Sequence, residues 1–357
     1  LPLYNGIILI EPDATETYLR RERRFVKLLL FLVVLALAHF VHDGWRTRLT
    51  WDAEHPNLAN NPYYYLFRPA PPPLHAPEAY RVAIPALGQF LVGRLHVPDP
   101  AYVAAGLDFG FGFLASYLLY KAAIEGLPVS TKKTERMLVV ALFLAFLQFP
   151  LAWVVPWQRP ETLPSALYLA FALRCLIDAR KTAVWTLLLL AATLCQTLVR
   201  SDVPFVFGIG LALASMIRST QASGPRSTNI AKGVAITLVS AGMQAYLKFV
   251  RYPHLTYWPG TEVFPFRANL QFHNLSNFSI ALLPFLIVAA FAIAKKMRLD
   301  ALDILVLVTS ALYLPIWFAV GIVGEVRVGV PFLMALCLVA AKVSAAYLLR
   351  GDNSSAV

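Results

Sequence analysis

The sequence predicts an all-α protein: a polytopic transmembrane helix bundle of about ten spans with a long first outer loop. Three observations lead there. Of the 357 residues, 58% are apolar and only 14% are charged. The mean hydropathy is +0.62. Soluble domains are usually less apolar and carry nearly twice that share of charge. A water-soluble fold of this length could not hide so many Leu, Val, Ala and Phe side chains, so lipid must solvate much of the surface.

A spanning helix needs about 20 mainly apolar residues. Candidate runs lie at 25–42, 101–122, 137–156, 163–178, 182–199, 202–217, 233–250, 276–294, 301–321 and 328–348; several are a little short of that length, those within 163–217 above all. Residues 81–97 are also apolar, but Arg81, Pro85 and Arg94 interrupt them. They suit a helix lying at or dipping into the interface. The chain thus divides into an N-terminal segment 1–24, one helical membrane domain 25–348 and a tail 349–357.

Orientation follows from Lys and Arg in the connections. Arg20 to Lys27, Lys121 to Arg136, Arg180 with Lys181, Arg218 to Lys232, Lys295 to Arg298, and Arg350 fall in alternate connections. These should face the cytoplasm, with both termini. The Arg20–Lys27 cluster precedes an apolar run too long for a signal h-region, so it flanks an uncleaved first helix. The expected location is an integral, multi-pass one, in a bacterial inner membrane. The other connections include two long outer loops, 43–100 and 251–275. Long loops without evident secondary structure tend to carry function.

Several classes are disfavoured. The net charge of +11 sits in short clusters between apolar runs, not in an aromatic-interleaved groove, so nucleic acid is not a partner. Cys175, Cys195 and Cys337 lie inside apolar runs without a CxxC, which fits packing residues. No P-loop, HExxH or helix-linked GxGxxG is present, and no repeat marks an inverted-repeat transporter.

The candidate functional residues gather on the outer side. Asp43 follows the first span at once, where a low-dielectric setting would make its carboxylate a better base; alone it is no more than a solvated helix-end residue. Asp52 and Glu54 follow, a spacing common on loops that can also bind a metal or divide acid and base roles. Tyr80 and Arg81 stand at the mouth of an apolar segment, a setting that suits a lipid-linked phosphate or a snorkelling arginine. Arg159 with Glu161, Arg200 with Asp202, and Glu325 with Arg327 occupy three tight outer turns. Each pair could simply neutralise itself. Three on one face favour a polar, anion-accommodating cavity. The second outer loop adds Arg251, His254, Glu262, Arg267 and His273. Within the spans Asp108 is taken as the lone acid, without a role.

These features resemble the polytopic glycosyltransferases of the GT-C superfamily. The first span leads to a long outer loop with an early acid, Asp43. The segment Tyr80-Arg81-Val82-x-x-Pro85 is similar to a YRxLxP stretch in many bacterial members. Leu198-Val199-Arg200-Ser201-Asp202 is similar to a basic–acidic pair at the start of a middle span. Gly324-Glu325-x-Arg327 precedes a Pro331-containing last span. Two departures stand out. Gly44 takes the place of a second acid after Asp43, which makes Asp52 an alternative counterpart, and no sizeable C-terminal soluble domain follows.

The resemblance implies sugar transfer from a polyprenyl-phosphate donor on the periplasmic or lumenal face. Asp43 or Asp52 would be the general base. Arg81, with Arg200 or Arg327, would hold the donor phosphate, and Tyr80, Arg159, Asp202 and Glu325 would complete the binding site. No cofactor is required by the sequence, and a divalent metal, Mg or Mn, is compatible with it. The partners to expect are the bilayer and the lipid-linked sugar, and other membrane proteins are compatible with the sequence. Two alternatives stand beside the enzyme. One is a non-catalytic subunit of a membrane complex, favoured by the missing second acid. The other is a transporter or flippase for an anionic or lipid-linked substrate, disfavoured by the scarcity of acids within the spans.

Overall fold

The structure is a computed structural model and describes residues 27–28, 31–44, 46, 50, 80–97, 100–127, 131–154, 161–177, 182–217, 226–255, 265–294, 296–297, 299–321 and 325–351. Among these residues every regular element is helical. In chain order they are α1 (Phe31–Gly44), α2 (Ala83–Leu95), α3 (Pro100–Glu125), α4 (Lys133–Val154), α5 (Thr162–Ile177), α6 (Thr182–Thr197), α7 (Asp202–Ile217), α8 (Arg226–Tyr246), α9 (Phe266–Asn269), α10 (Phe272–Ala294), α11 (Ala301–Val320) and α12 (Val330–Gly351). A π-helical turn, Leu247–Arg251, extends α8, and a 3-10 turn, Val326–Val328, precedes α12.

Six of these helices are long and apolar enough to cross a membrane: α3, α4, α8 with its π turn, α10, α11 and α12. A helix stands at each of the ten stretches expected to span, but α1, α5, α6 and α7 are shorter. The 16 residues of α5 rise only about 24 Å, against roughly 30 Å of hydrocarbon. The reason is packing. α5 is buried along most of its length, so protein rather than lipid sets its limits. Residues 81–97 do form a helix, α2, which packs on α3 and stops where His96 turns left-handed at φ 52°.

α12 is the axis of the bundle. It packs against α3, α4, α5, α10 and α11. Val330, Met334, Cys337, Leu338 and Ala341 on it are fully enclosed. Where lipid replaces water, helices associate mainly by close backbone packing through small residues. α7 and α8 do this. A Cβ built on Gly233 would lie 2.6 Å from the Gly208 carbonyl oxygen, and one on Gly208 would lie 2.7 Å from that of Gly233. Large apolar side chains are left outside instead, among them Phe31, Leu187, Leu238, Leu286 and Ile293. Such extensive exposure suits a lipid-solvated surface and no ordinary soluble one. α10 is the least buried of the six long helices, and an apolar groove of about 140 Å³ separates it from α11 and α12 beside Phe285, Leu307 and Val339.

One expectation about charge needs correcting. Asp108 is buried in α3, but it is not the only acid within the helices. Asp303 is buried one turn into α11, where it forms a capping box with Asp300. Lys342 of α12 reaches both, with Nζ 2.7 Å from Asp300 and 2.9 Å from Asp303. No local signal in the sequence marks this trio, because Lys342 stands 42 and 39 residues from its two partners.

The glycine contact gives a direct test. Gly233→Val should cost roughly 1–3 kcal/mol by overpacking the α7–α8 seam. Gly242→Ala, on the same helix with nothing within 4 Å of the added carbon, should be neutral or stabilising. Thermal melting in detergent compares the two. Equal melting temperatures would mean that the seam does not hold the bundle.

Candidate functional site

The chain directions set up two polar ends. α3 and α5 run parallel: Leu163 lies beside Gly112, and Arg174 bonds Glu125 at 2.8 Å. That places Glu125, Arg174 and the neighbouring Lys342 trio at one end. The starts of α2, α5, α7 and α12 and the finishes of α6 and α11 meet at the other, where most of the candidate residues converge.

Arg200 is the centre of this end. It sits in the turn between α6 and α7, only 6% exposed. Its guanidinium grips Asp202 with two parallel bonds, Nε to Oδ1 at 2.9 Å and Nη2 to Oδ2 at 2.8 Å. Asp202 is the first residue of α7, where a carboxylate also meets the positive end of the helix dipole. Tyr313 of α11 completes the group. Its hydroxyl accepts from Arg200 Nη2 and donates to Asp202 Oδ2 at 2.9 Å. Burial alone would lower the pKa of Arg200. Asp202, then Tyr313 and Glu161, outweigh it and raise the pKa above the ordinary arginine value. The side chain is therefore a fixed cation.

The second pair joins distant parts of the chain. Arg81, just before α2, donates from Nη1 to Glu161 Oε1 at 2.6 Å. Glu161 precedes α5, 80 residues later. Ser165, one turn into α5, donates to the Glu161 carbonyl and accepts from Gln196 Nε2 at 2.7 Å. Gln196 also reaches the Arg200 carbonyl at 3.2 Å. Side chains and backbone thus link the two pairs. The Ala83 amide adds a bond to the Leu198 carbonyl at 3.1 Å, seating α2 on the same turn. The third pair, Arg327 Nη2 to Glu325 Oε2 at 2.6 Å, stands at the 3-10 turn, one residue from Val328.

Most of the expected residues can be placed. Tyr80, Arg81, Arg200, Asp202, Glu325 and Arg327 are all at this end. Arg200–Asp202 and Glu325–Arg327 pair as their spacing suggested. Tyr80 is buried against Tyr252 and Leu247 at the end of α8. Asp43 is on the last turn of α1, about half exposed, with contacts of 3.3 Å to His39 and His42 on its own helix. No described contact ties Asp43 to the arginines. Asp52 and Arg159 lie outside the described residues, as do Glu54 and Glu262. Among the described residues no group of His, Cys, Asp and Glu could hold a metal ion.

Sequence reasoning missed Tyr313, Ser165 and Gln196. Tyr313 looks like one more core aromatic in an apolar run, although a buried phenol needs a partner for its hydroxyl. Gln196 gave a readable signal, since an amide within a span is costly and faces the bundle interior. Compared with protein-family models, with curated proteins and with solved structures, the chain finds no match in any of the three.

Within these three pairs each arginine is matched by one carboxylate. Removing one partner strands the other. Asp202→Asn should destabilise by roughly 3–5 kcal/mol, because Arg200 remains charged and buried. The double variant Arg200→Met with Asp202→Asn should recover part of that loss. Denaturation in detergent measures both, and a double variant no better than the single one would refute the pairing account.

Proposed function

We propose that this chain is a multi-pass membrane enzyme that transfers a sugar from a polyprenyl-phosphate donor. On this proposal ten helices span, both termini are cytoplasmic, and the Arg200 end faces the periplasm of a bacterial inner membrane. One observation carries it. Arg81, Glu161, Arg200, Asp202 and Tyr313, drawn from four separate parts of the chain, converge at one end of a lipid-solvated bundle. Buried charge is expensive, and its concentration where a lipid-linked phosphate would arrive is the mark of an anion-handling site.

The residues divide by reach. Arg81 is 27% exposed, and a guanidinium has five N–H donors, so it can hold Glu161 and a donor phosphate together. Arg200 is enclosed and acts by fixing Asp202. Asp43 or Asp52 takes the proton of the acceptor hydroxyl as its oxygen attacks the anomeric carbon. The bond from that carbon to the phosphate oxygen breaks, and the electron pair leaves with the polyprenyl phosphate, whose charge Arg81 stabilises.

A second reading rests on the pairing itself. Each arginine already has a carboxylate, so the cluster could serve only to lock the helix ends of a non-catalytic subunit.

Mass spectrometry of the gently purified protein separates the two. Bound polyprenyl-phosphate lipid, lost in Arg81→Gln, is expected for the enzyme. Its absence together with a stoichiometric protein partner would favour the subunit. Given a donor, Asp43→Asn or Asp52→Asn should lower transfer by about 10²–10⁴-fold. Full activity in both variants would rule this mechanism out.

A further inference from the structure

The end of α8 carries a feature that the polar cluster does not use. Its last turn is π-helical, closed by the Tyr252 amide on the Leu247 carbonyl at 2.9 Å. Lys248, Phe249, Val250 and Arg251 are all exposed, with Phe249 at 68% and Val250 at 66%. Four consecutive residues cover every face of a helix. Among the described residues, the contacts that anchor the turn lie at its flanks. Leu247 is buried beside Tyr80, and Tyr252 packs on Tyr80 with ring centroids 6.3 Å apart.

Basic residues at a helix C-terminus are favourable in themselves. That does not account for two large apolar side chains left bare between them. Length supplies the missing element. α8 and its π turn comprise 26 residues and rise about 39 Å, roughly 9 Å more than the hydrocarbon of a bilayer. That excess is enough to carry the turn to headgroup depth, where phosphates and acyl chains are both within reach. Among the described residues neither Lys248 nor Arg251 is paired with a carboxylate. Their described partners are aromatic: Lys248 lies 5.5 Å from the Phe249 ring centre and Arg251 lies 5.3 Å from that of Tyr252.

We propose that the π turn Leu247–Arg251 is an interfacial docking surface for anionic phospholipid. Lys248 and Arg251 hold the headgroup phosphate while Phe249 and Val250 enter the acyl region. This requires only that the protein spans a membrane. It does not depend on the transferase proposal, and the test leaves Arg81 and Arg200 intact.

The full chain is placed in nanodiscs of phosphatidylcholine with a minor share of phosphatidylglycerol, and the lipid it retains is counted by native mass spectrometry. The wild type should retain phosphatidylglycerol preferentially. Lys248→Gln with Arg251→Gln should cut that preference about 25-fold, given the attraction expected of two cations near a charged surface. Both sites are exposed, so the melting temperature should hold. Lys121→Gln, at the opposite end, should change nothing. Inorganic phosphate should not displace the lipid, since Phe249 and Val250 contribute to holding it. Equal retention of the two lipids by the wild type, an unchanged preference in the double variant, an equal loss in Lys121→Gln, or displacement by phosphate would each overturn the proposal.

Discussion

The buried charge of Arg200 is the constraint around which one end of the molecule is organised. An enclosed guanidinium in an apolar bundle must find every partner within the protein. Asp202 supplies the counter-charge, and its place as the first residue of α7 fixes where that helix begins. Tyr313 supplies a third polar group and commits α11 to lie against the same turn. The Arg200 amide and carbonyl both bond Gln196, so the last turn of α6 is held as well. Ser240 of α8 donates to the Ser201 carbonyl at 2.9 Å. A single two-helix connection therefore sets the positions of four helices.

The rest of the bundle follows a different economy. Away from the two polar ends, association is mainly by shape, with a buried bond of 3.0 Å between Tyr168 of α5 and Thr193 of α6. The α7–α8 seam depends on what Gly208 and Gly233 lack, while α12 is packed on several sides by larger side chains. Tyr313 links the two regimes. Its ring stacks on Phe332 of α12 at 4.0 Å between centroids, and its hydroxyl joins the polar cluster. At the opposite end the Lys342 trio performs a comparable service, tying the start of α11 to α12. Each end is thus closed by ions, with hydrocarbon packing between them.

Much of this was legible in the sequence, and the parts that were not have physical reasons. Composition and apolar run length identify a helical membrane-type bundle because they reflect the solvent directly. Pairs two residues apart, such as Arg200 with Asp202, can be read because a tight turn leaves them few other partners. The Arg81–Glu161 pair could not be read, since a separation of 80 residues carries no local signal. The shortness of α5 and α7, 16 residues each, showed in their apolar runs, but its cause did not. Apolar content does not distinguish a helix buried in protein from one solvated by lipid. Asp303 and Lys342 were overlooked because charges near the ends of apolar runs resemble solvated flanks. In the structure they are buried or nearly so, and they face each other.

The polar end also has an internal gradient, and that gradient decides which of its groups meet the outside. Arg200 and Arg327 are enclosed, whereas Arg81, Asp202 and Glu325 keep between 27% and 37% of their side chains open. The cations are mostly inside and the carboxylates mostly outside, with Arg81 and Glu161 reversing the order. An anion approaching this surface meets Arg81 before any other arginine of the cluster. Inward of it, the Asp202 carboxylate is held by two bonds from Arg200 and one from Tyr313, and it cannot turn aside to capture Arg81 without stranding a buried cation. Glu161 is therefore the only carboxylate of the cluster that the described bonds place on Arg81, and it shares a group with donors to spare. The buried triad thus keeps Asp202 from closing on Arg81, and on the proposed function the donors left at the rim are those that take the anion.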